Sequence, residues 1–216
     1  MNKRIAAALS FGAIILTTGL GLTHAAPRAT APRTTAPRIT APRPTQEATT
    51  YTIDPVHSTG IFRVHHFGAA MFYGRFNDVT GTITYNPEDP ASLSFDVVID
   101  VESVDTNTER LNNHLKSPDF FNAKEFSEMT FKSTAVSKVD DDTFEVTGNL
   151  TIRGITKTIT TQVDLTGIVN SRRGKKIGFE TIFTVDRSDY GVNYGLENGV
   201  LGREIRLLVS MEANAQ

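Results

Sequence analysis

Residues 53–76 combine the side chains of this chain that could do chemistry. His57, His65 and His66 lie there among five aromatic residues. Histidine is the commonest metal ligand and a frequent general base near neutral pH, so two chemical roles compete for these side chains. Each histidine could instead be a polar group beside an apolar pocket. The segment contains no catalytic motif that we recognise, so the rest of the chain must discriminate between the roles.

A metal site is the first of these roles. Zinc needs three or four ligands at about 2.0–2.2 Å, and the chain has no cysteine to supply them as thiolates. His65 and His66 are adjacent in a predicted strand, where neighbouring side chains point to opposite faces, so they cannot easily share one ion. The face of His57 stays open because Gly60 allows a bend. We favour structural or ligand-contact roles for the histidines.

Hydrolytic catalysis is the second role. Ser58 follows His57 and Asp54 lies nearby, but neighbours in sequence do not establish the geometry of a triad. The chain shows no nucleophile-elbow motif. The two acidic residues of the segment 186–191 (DRSDYG) are better explained by a capped turn at the end of a strand. The sequence therefore assigns no catalytic residue.

The elements that must position these side chains are strands, because apolar and polar residues alternate with a period of two from residue 50 onward. Clusters of Pro, Gly, Asp or charged residues separate the alternating stretches. Eight strands are predicted, over residues 50–66 with an interruption at Pro55, 74–85, 92–101, 128–138, 143–152, 155–168, 176–186 and 203–213.

The connection between the third and fourth strands has room for one short helix. Leu111 and Leu115 are four residues apart, Thr106 or Thr108 is a suitable N-cap, and Pro118 ends the pattern, which predicts a helix at about 107–116. Eight antiparallel strands with one helix predict an all-β fold, a lipocalin-like up-and-down barrel. Such a barrel has an interior wide enough for one small ligand. A two-sheet sandwich is the alternative.

The first 25 residues have the composition of an export signal. Two basic residues precede an uncharged, largely apolar run at 5–22, and Thr-His-Ala at 23–25 offers a cleavage site after Ala25. We expect residues 1–25 to be a cleaved signal peptide, with an uncleaved membrane anchor as the alternative. A chain without cysteine needs no oxidative folding after export.

Four copies of a five-residue Ala-Pro-Arg repeat occupy residues 26–45. Proline at this density prevents helix and sheet, so we predict a disordered Pro/Arg/Thr linker at 26–48 and the barrel domain at 49–214. The repeats carry four arginines, whereas residues 48–216 carry 16 basic and 23 acidic residues. We favour a spacer, with weak contact to an anionic envelope surface as the alternative. Nucleic acid is a poor partner for an acidic exported domain.

Five motifs resemble the YceI-like family, a group of bacterial periplasmic, lipocalin-like proteins that bind polyisoprenoid lipids. In chain order they are YTIDPVHSTGIFRVHHFG, GRFNDVTGTITYNPEDP, SVDTNTERLNNHLKSPDFFNAKEFSEMTFKST, VTGNLTIRGITKTIT and DRSDYGVNYG. The resemblance spans about residues 51–211 and leaves out the linker. It implies an elongated apolar channel, an isoprenoid lipid or quinone as ligand, and a periplasmic location, with secretion as the second choice. It also implies a homodimer, which is common in similar proteins.

The predicted ligand-binding residues lie on the more apolar face of each strand. In the first strand Phe62, Val64 and His66 share that face and match the family pattern. The further candidates for the channel are Phe76, Phe131, Leu150, Ile152, Phe183 and Tyr190. His57 and Arg153 are candidates for contacts with a lipid head group, although an exposed turn charge explains Arg153 equally well.

These expectations describe a protein that sequesters or transports a lipid without catalysis, and they include no cofactor and no metal. Such a protein needs an apolar interior, a few polar groups at one end and no catalytic constellation, and the chain matches this description. Two alternatives stay open. One is a periplasmic enzyme that acts on a lipid-like substrate, and the other is a histidine-based metal-binding or stress-response protein.

Overall fold

The structure is a computed structural model that describes residues 46–216. The predicted signal peptide and the predicted linker up to residue 45 lie outside the described residues. Within residues 46–216, none of the helical segments combines the length and the hydrophobicity that a membrane span requires.

The described chain forms an antiparallel sheet of 11 strands that closes on itself. The strands are Thr49–Ile53 (β1), Thr59–His66 (β2), Ala70–Phe76 (β3), Val79–Asn86 (β4), Asp89–Asp100 (β5), Val104–Asp105 (β6), Glu128–Lys138 (β7), Thr143–Ile152 (β8), Ile155–Ser171 (β9), Gly174–Asp186 (β10) and Leu201–Ala215 (β11). One α-helix, Glu109–Lys116 (α1), and two short 3₁₀ turns, Val101–Ser103 and Arg187–Tyr190, complete the fold.

Eight strands make the closed barrel, in the order β1, β4, β5, β7, β8, β9, β10 and β11, with β11 pairing back to β1. The predicted eight-stranded lipocalin-like barrel with one helix is therefore confirmed. Strands β2, β3 and β6 extend the sheet beyond the first part of β11. The predicted strand at 50–66 is thus divided into β1 and β2, and both run along β11, as its interruption at Pro55 suggested.

The predicted strand at 74–85 is also divided, into β3 and β4. The sequence did not predict this division. The break lies at Asn77 and Asp78, whose backbone N–H groups both donate to the Ser103 hydroxyl, at 3.1 Å each. These donors are consequently unavailable to a neighbouring strand. The division lets β3 pair with β2 and β6, while β4 pairs with β1 and β5.

Helix α1 begins two residues later than predicted and ends at Lys116, as predicted. Thr108 occupies the N-cap position without a capping hydrogen bond from its side chain. Thr106 instead donates from its hydroxyl to the Asn112 side chain at 2.6 Å, which ties the preceding loop to the helix. The backbone leaves the helical conformation at Ser117, because Pro118 restricts the residue before it to extended conformations.

One half of the barrel is filled by a compact aromatic core. The Tyr85 ring lies edge-on to Phe144 with centroids 5.8 Å apart, and Phe95 lies edge-on to Phe179 at 5.2 Å. Burial of each such ring contributes about 1.5–3 kcal/mol to the free energy of unfolding. A second hydrophobic cluster, with α1 packed against it, surrounds the other half. The barrel interior is consequently closed at one end and available at the other.

Candidate functional site

An apolar cavity of about 560 Å³ occupies the half of the barrel that the aromatic core leaves free. Strand alternation builds its wall, because every second residue of a strand points inward. On β11, for example, Ile205, Leu207, Val209 and Met211 all line the cavity. The volume lies within the range of about 300–1,000 Å³ that is typical of small-molecule sites.

The structure places all nine residues predicted for the channel on the wall of this cavity. They are Phe62, Val64, His66, Phe76, Phe131, Leu150, Ile152, Phe183 and Tyr190. Their contact with a bound ligand stays a prediction. His65, the neighbour of His66, does not line the cavity, as expected from strand parity.

Two glycines leave room for aromatic rings in the wall. A Cβ atom on Gly74 would overlap with the Phe62 ring, and one on Gly148 would overlap with the Phe131 ring. The Phe62 ring in turn lies 5.8 Å from the Phe76 ring, centroid to centroid. The absence of side chains at these glycines therefore determines where the rings stand and how much of the cavity stays open.

The exposed members of the wall mark the mouth of the cavity. Phe67, at the β2–β3 turn, is 65% exposed, and the His66 ring lies edge-on to it at 4.7 Å. The His114 ring of α1 lies edge-on to Tyr194 at 4.8 Å, and its Nε2 is 3.2 Å from an Asp119 carboxylate oxygen. The mouth thus combines aromatic rings with two histidines, whereas the deeper wall is almost entirely apolar.

One polar pair lies within the apolar wall. The Thr161 and Thr181 hydroxyls are 3.0 Å apart and both residues line the cavity. Thr181 also donates to the Gln162 carbonyl oxygen at 2.6 Å. These hydroxyls satisfy each other and the backbone, so the pair does not require a ligand.

His57 lies away from the cavity wall, although sequence reasoning made it a candidate for a head-group contact. Its Nδ1 is 2.9 Å from the Asp54 carboxylate, and this hydrogen bond is the largest cause that lowers the pKa of Asp54. Within residues 46–216, Asp54, His57 and Glu212 form a group whose ligand atoms lie within 4.8 Å of one another and could hold a metal ion. The Glu212 carboxylate, however, already pairs with the Lys176 ammonium group.

Arg153, the other head-group candidate, also lies outside the wall. It forms the two-residue β8–β9 turn with Gly154, and both residues have positive φ angles, 49° and 71°. This geometry is typical of a tight hairpin that matches the twist of its strands. The Arg153 guanidinium donates to the Gly191 carbonyl oxygen at 2.9 Å, so it ties the hairpin to the turn after β10.

Arg187 is a charged residue of the wall that sequence reasoning missed. It is 5% exposed, lines the cavity and opens the 3₁₀ turn Arg187–Tyr190. As predicted, this segment is a capped turn: the Asp186 carboxylate accepts from the Ser188 N–H at 2.8 Å, and Gly191 ends the turn with φ of 71°. A signal was present, since Arg187 continues the inward parity of Phe183 and Val185.

The Arg187 guanidinium binds three backbone carbonyl oxygens. Nε donates to Gly202 at 2.8 Å, Nη1 to Val192 at 2.8 Å and Nη2 to Leu201 at 3.2 Å. Burial lowers the pKa of Arg187, and the nearby Asp186 carboxylate acts in the opposite direction. The side chain thereby fastens the turn to the first residues of β11, beside the cavity.

Comparison with known proteins matches residues 51–213 to the YceI-like domain. A UPF0312 protein of Pseudomonas paraeruginosa is 33% identical over 219 residues, which cover 100% of both chains. Among solved structures, BcnA of Burkholderia cenocepacia has a TM-score of 0.69 at 23% identity and covers 75% of this chain and 99% of its own.

A second similar structure is a polyisoprenoid binding domain from Saccharophagus degradans, implicated in plant cell wall breakdown. It has a TM-score of 0.62 at 18% identity and covers 78% of this chain and 99% of its own. At this level of identity, and at that of BcnA, the similarity shows the barrel fold.

Proposed function

Because the match over residues 51–213 shows that the chain belongs to the YceI-like family, we propose that it binds one long-chain isoprenoid lipid in the barrel cavity. The lipid is of the polyprenyl type or carries a quinone head. The observation that carries the proposal is the cavity itself: about 560 Å³, open at one end and lined almost entirely by aliphatic and aromatic side chains. The similar fold of a polyisoprenoid binding domain supports the same ligand class.

The chemistry of the wall fits a branched hydrocarbon tail. Transfer of apolar surface from water contributes about 25 cal/mol per Å², so a long tail gains affinity from length alone. Such a ligand requires few polar contacts, and the wall offers few. A largely preformed cavity also reduces the entropy that binding must overcome.

We propose that the protein binds its lipid without catalysis, for sequestration or transport. The two histidines at the mouth support this view, because within residues 46–216 no serine or threonine hydroxyl hydrogen-bonds to a histidine. His114 meets a carboxylate but no hydroxyl that it could activate as a nucleophile. The measurement that tests this is recovery of the lipid chemically unchanged after incubation.

The location and the assembly belong to the same proposal. Export to the periplasm follows from the signal-like residues 1–25, and cell fractionation with N-terminal sequencing of the mature chain tests it. Light scattering after size-exclusion chromatography tests the proposed homodimer. Sedimentation with anionic vesicles, with and without residues 26–45, tests the weak envelope contact proposed for the linker.

The decisive experiment is identification of the native ligand. The protein is purified from its source without detergent and analysed by native mass spectrometry, and a solvent extract is analysed by liquid chromatography with mass spectrometry. We expect one isoprenoid lipid per barrel, with a lower melting temperature after its removal, because a ligand that binds only the folded state stabilises it. Recovery of an empty barrel, or of lipids without isoprene units, would refute the proposal.

A further inference from the structure

The 3₁₀ turn Arg187–Tyr190 places two buried polar side chains in the largely apolar wall. Arg187 is 5% exposed and Tyr190 is 2% exposed, and both line the cavity. They are three residues apart on one turn, which directly precedes the segment that leads to β11. Buried donors are normally hydrogen-bonded, so the partners of these two groups must be accounted for.

The protein supplies partners for only part of their hydrogen-bonding capacity. A guanidinium has five N–H bonds, and the backbone carbonyls of Val192, Leu201 and Gly202 account for three. One N–H on each terminal nitrogen of Arg187 therefore has no acceptor among residues 46–216. The Tyr190 hydroxyl makes no hydrogen bond within this part of the chain, although its oxygen is less completely enclosed than that of Tyr51. Burial of the side chain raises the pKa of Tyr190. Leaving a buried guanidinium N–H unpaired costs about 1–3 kcal/mol.

Within the described part of the chain, no carboxylate contacts the positive charge of Arg187. Asp186 is adjacent, but its Oδ1 accepts from the Ser188 N–H at 2.8 Å and its Oδ2 lies 3.5 Å from the Arg203 guanidinium. Arginine stays charged in proteins, even when burial disfavours the charge. The cavity wall consequently carries a cation whose direct contacts within residues 46–216 are neutral carbonyl groups, while the Asp186 carboxylate stabilises the charge without contacting it.

A purely structural role explains the three carbonyl contacts but not the remaining donors. Arg153 is an example of an arginine with a structural role: its guanidinium donates to the Gly191 carbonyl oxygen, and the residue is half-buried and lies off the cavity wall. Arg187 is enclosed and faces a ligand-sized space. The unpaired Tyr190 hydroxyl, on the same turn and the same wall, is an independent indication of an acceptor inside the cavity.

We propose that Arg187 and Tyr190 form the head-group subsite of the cavity and donate hydrogen bonds to an oxygen atom of the bound lipid. The oxygen belongs to a quinone-type carbonyl or to a phosphate ester, both of which accept from N–H and O–H donors. A charged donor strengthens such a bond, and most strongly when the acceptor is an anion. The inference rests on the proposed function and assigns the polar end of its ligand to this turn.

The test compares three ligands that share a four-isoprene tail: geranylgeranyl phosphate, a tetraprenyl naphthoquinone and a tetraprenyl hydrocarbon without oxygen. Their Kd values are measured with the delipidated full chain and with Tyr190→Phe and Arg187→Lys. Phenylalanine removes only the hydroxyl, and lysine keeps the charge but offers three donors at a single nitrogen. Two variants are the controls. Tyr51→Phe removes a buried unpaired hydroxyl away from the cavity wall. Arg203→Lys changes an arginine that contacts the same turn but does not line the cavity.

We expect each subsite variant to weaken the oxygenated ligands by roughly 10- to 100-fold and to leave the hydrocarbon and both controls close to wild type. A larger loss for the phosphate than for the quinone identifies a phosphate ester, and an equal loss identifies a carbonyl. A uniform loss for all three ligands, or no loss, overturns the subsite while the proposed function stands. Failure of every ligand to bind the wild type refutes both. If circular dichroism shows that Arg187→Lys is unfolded, the Kd values of Tyr190→Phe for the oxygenated ligands, compared with its Kd for the hydrocarbon, decide alone.

Discussion

Replacing Gly60 with leucine should shorten the cavity without disrupting the barrel. Gly60 lies in β2, is buried and lines the cavity. A Cβ atom at this position would lie 3.4 Å from the Ile99 Cδ1 atom, which is ordinary van der Waals contact, so the backbone has no need to move. Glycine within a strand is itself unfavourable by roughly 0.5–1 kcal/mol, so the substitution also removes a local cost to folding.

The expected loss of affinity follows from the carbon atoms that the new side chain displaces. A leucine side chain has four carbons, close to the five of one isoprene unit. A ligand tail that fills the cavity would lose burial of about four carbons, or about 3 kcal/mol at 0.8 kcal/mol for each. This corresponds to a loss of roughly a hundredfold in Kd. A tail too short to reach Gly60 should bind as before.

The assay is a titration of delipidated protein with isoprenoids of increasing length. Wild-type affinity should rise with each added unit, whereas Gly60→Leu should stop gaining affinity about one unit earlier. Gly167→Leu is the matched control, because it adds the same side chain to a β9 position off the cavity wall. A Cβ atom there would lie more than 4 Å from every residue in 46–216 other than its two chain neighbours. If the folded Gly60→Leu variant bound the longest tail as tightly as Gly167→Leu does, the tail would not lie in this cavity.

Two further substitutions test the wall and the acid stability. Gly74→Ala should turn the Phe62 ring into the cavity and lower lipid occupancy by roughly tenfold, since overpacking costs about 1–3 kcal/mol; full occupancy in solvent extracts would contradict this. Asp54→Asn should weaken the acid dependence of unfolding. The hydrogen bond from His57 lowers the Asp54 pKa below 3.8, so its stabilisation is present above that value and is lost as pH falls through the lowered pKa. If urea titrations in acid gave the wild type and Asp54→Asn the same slope of unfolding free energy against pH, this prediction would be wrong.

Much of the barrel was predictable because it depends on local periodicity. Inward and outward side chains alternate along β8, where Leu150 and Ile152 face the cavity while Thr151 does not. The division between β3 and β4 was not predictable in this way. It depends on the Ser103 hydroxyl, 26 and 25 residues from the two amides that it binds, and no pattern within the strand encodes that contact.

The same distinction separates the predicted site residues that lie on the cavity wall from the two that do not. Parity within a strand was enough to identify the wall, but the place of a hairpin around the barrel depends on how the sheet closes. His57 lies beside Glu212 because β1 pairs with the last residues of β11, which are more than 150 residues away. Arg153 is held by a carbonyl 38 residues later. Neither partner follows from the neighbouring sequence.

Arg187 shows why a functional group can escape a correct periodic pattern. The alternation that places Phe183 and Val185 inside extends to Arg187, yet a charged residue at the end of a strand is usually exposed. Its burial depends on three carbonyl acceptors, 5, 14 and 15 residues further along the chain. Because every residue has a backbone carbonyl, the residue types do not reveal which carbonyls will accept these hydrogen bonds. An inward-parity arginine at a strand end is therefore a position to test for ligand contact, even where a capped turn explains the local sequence.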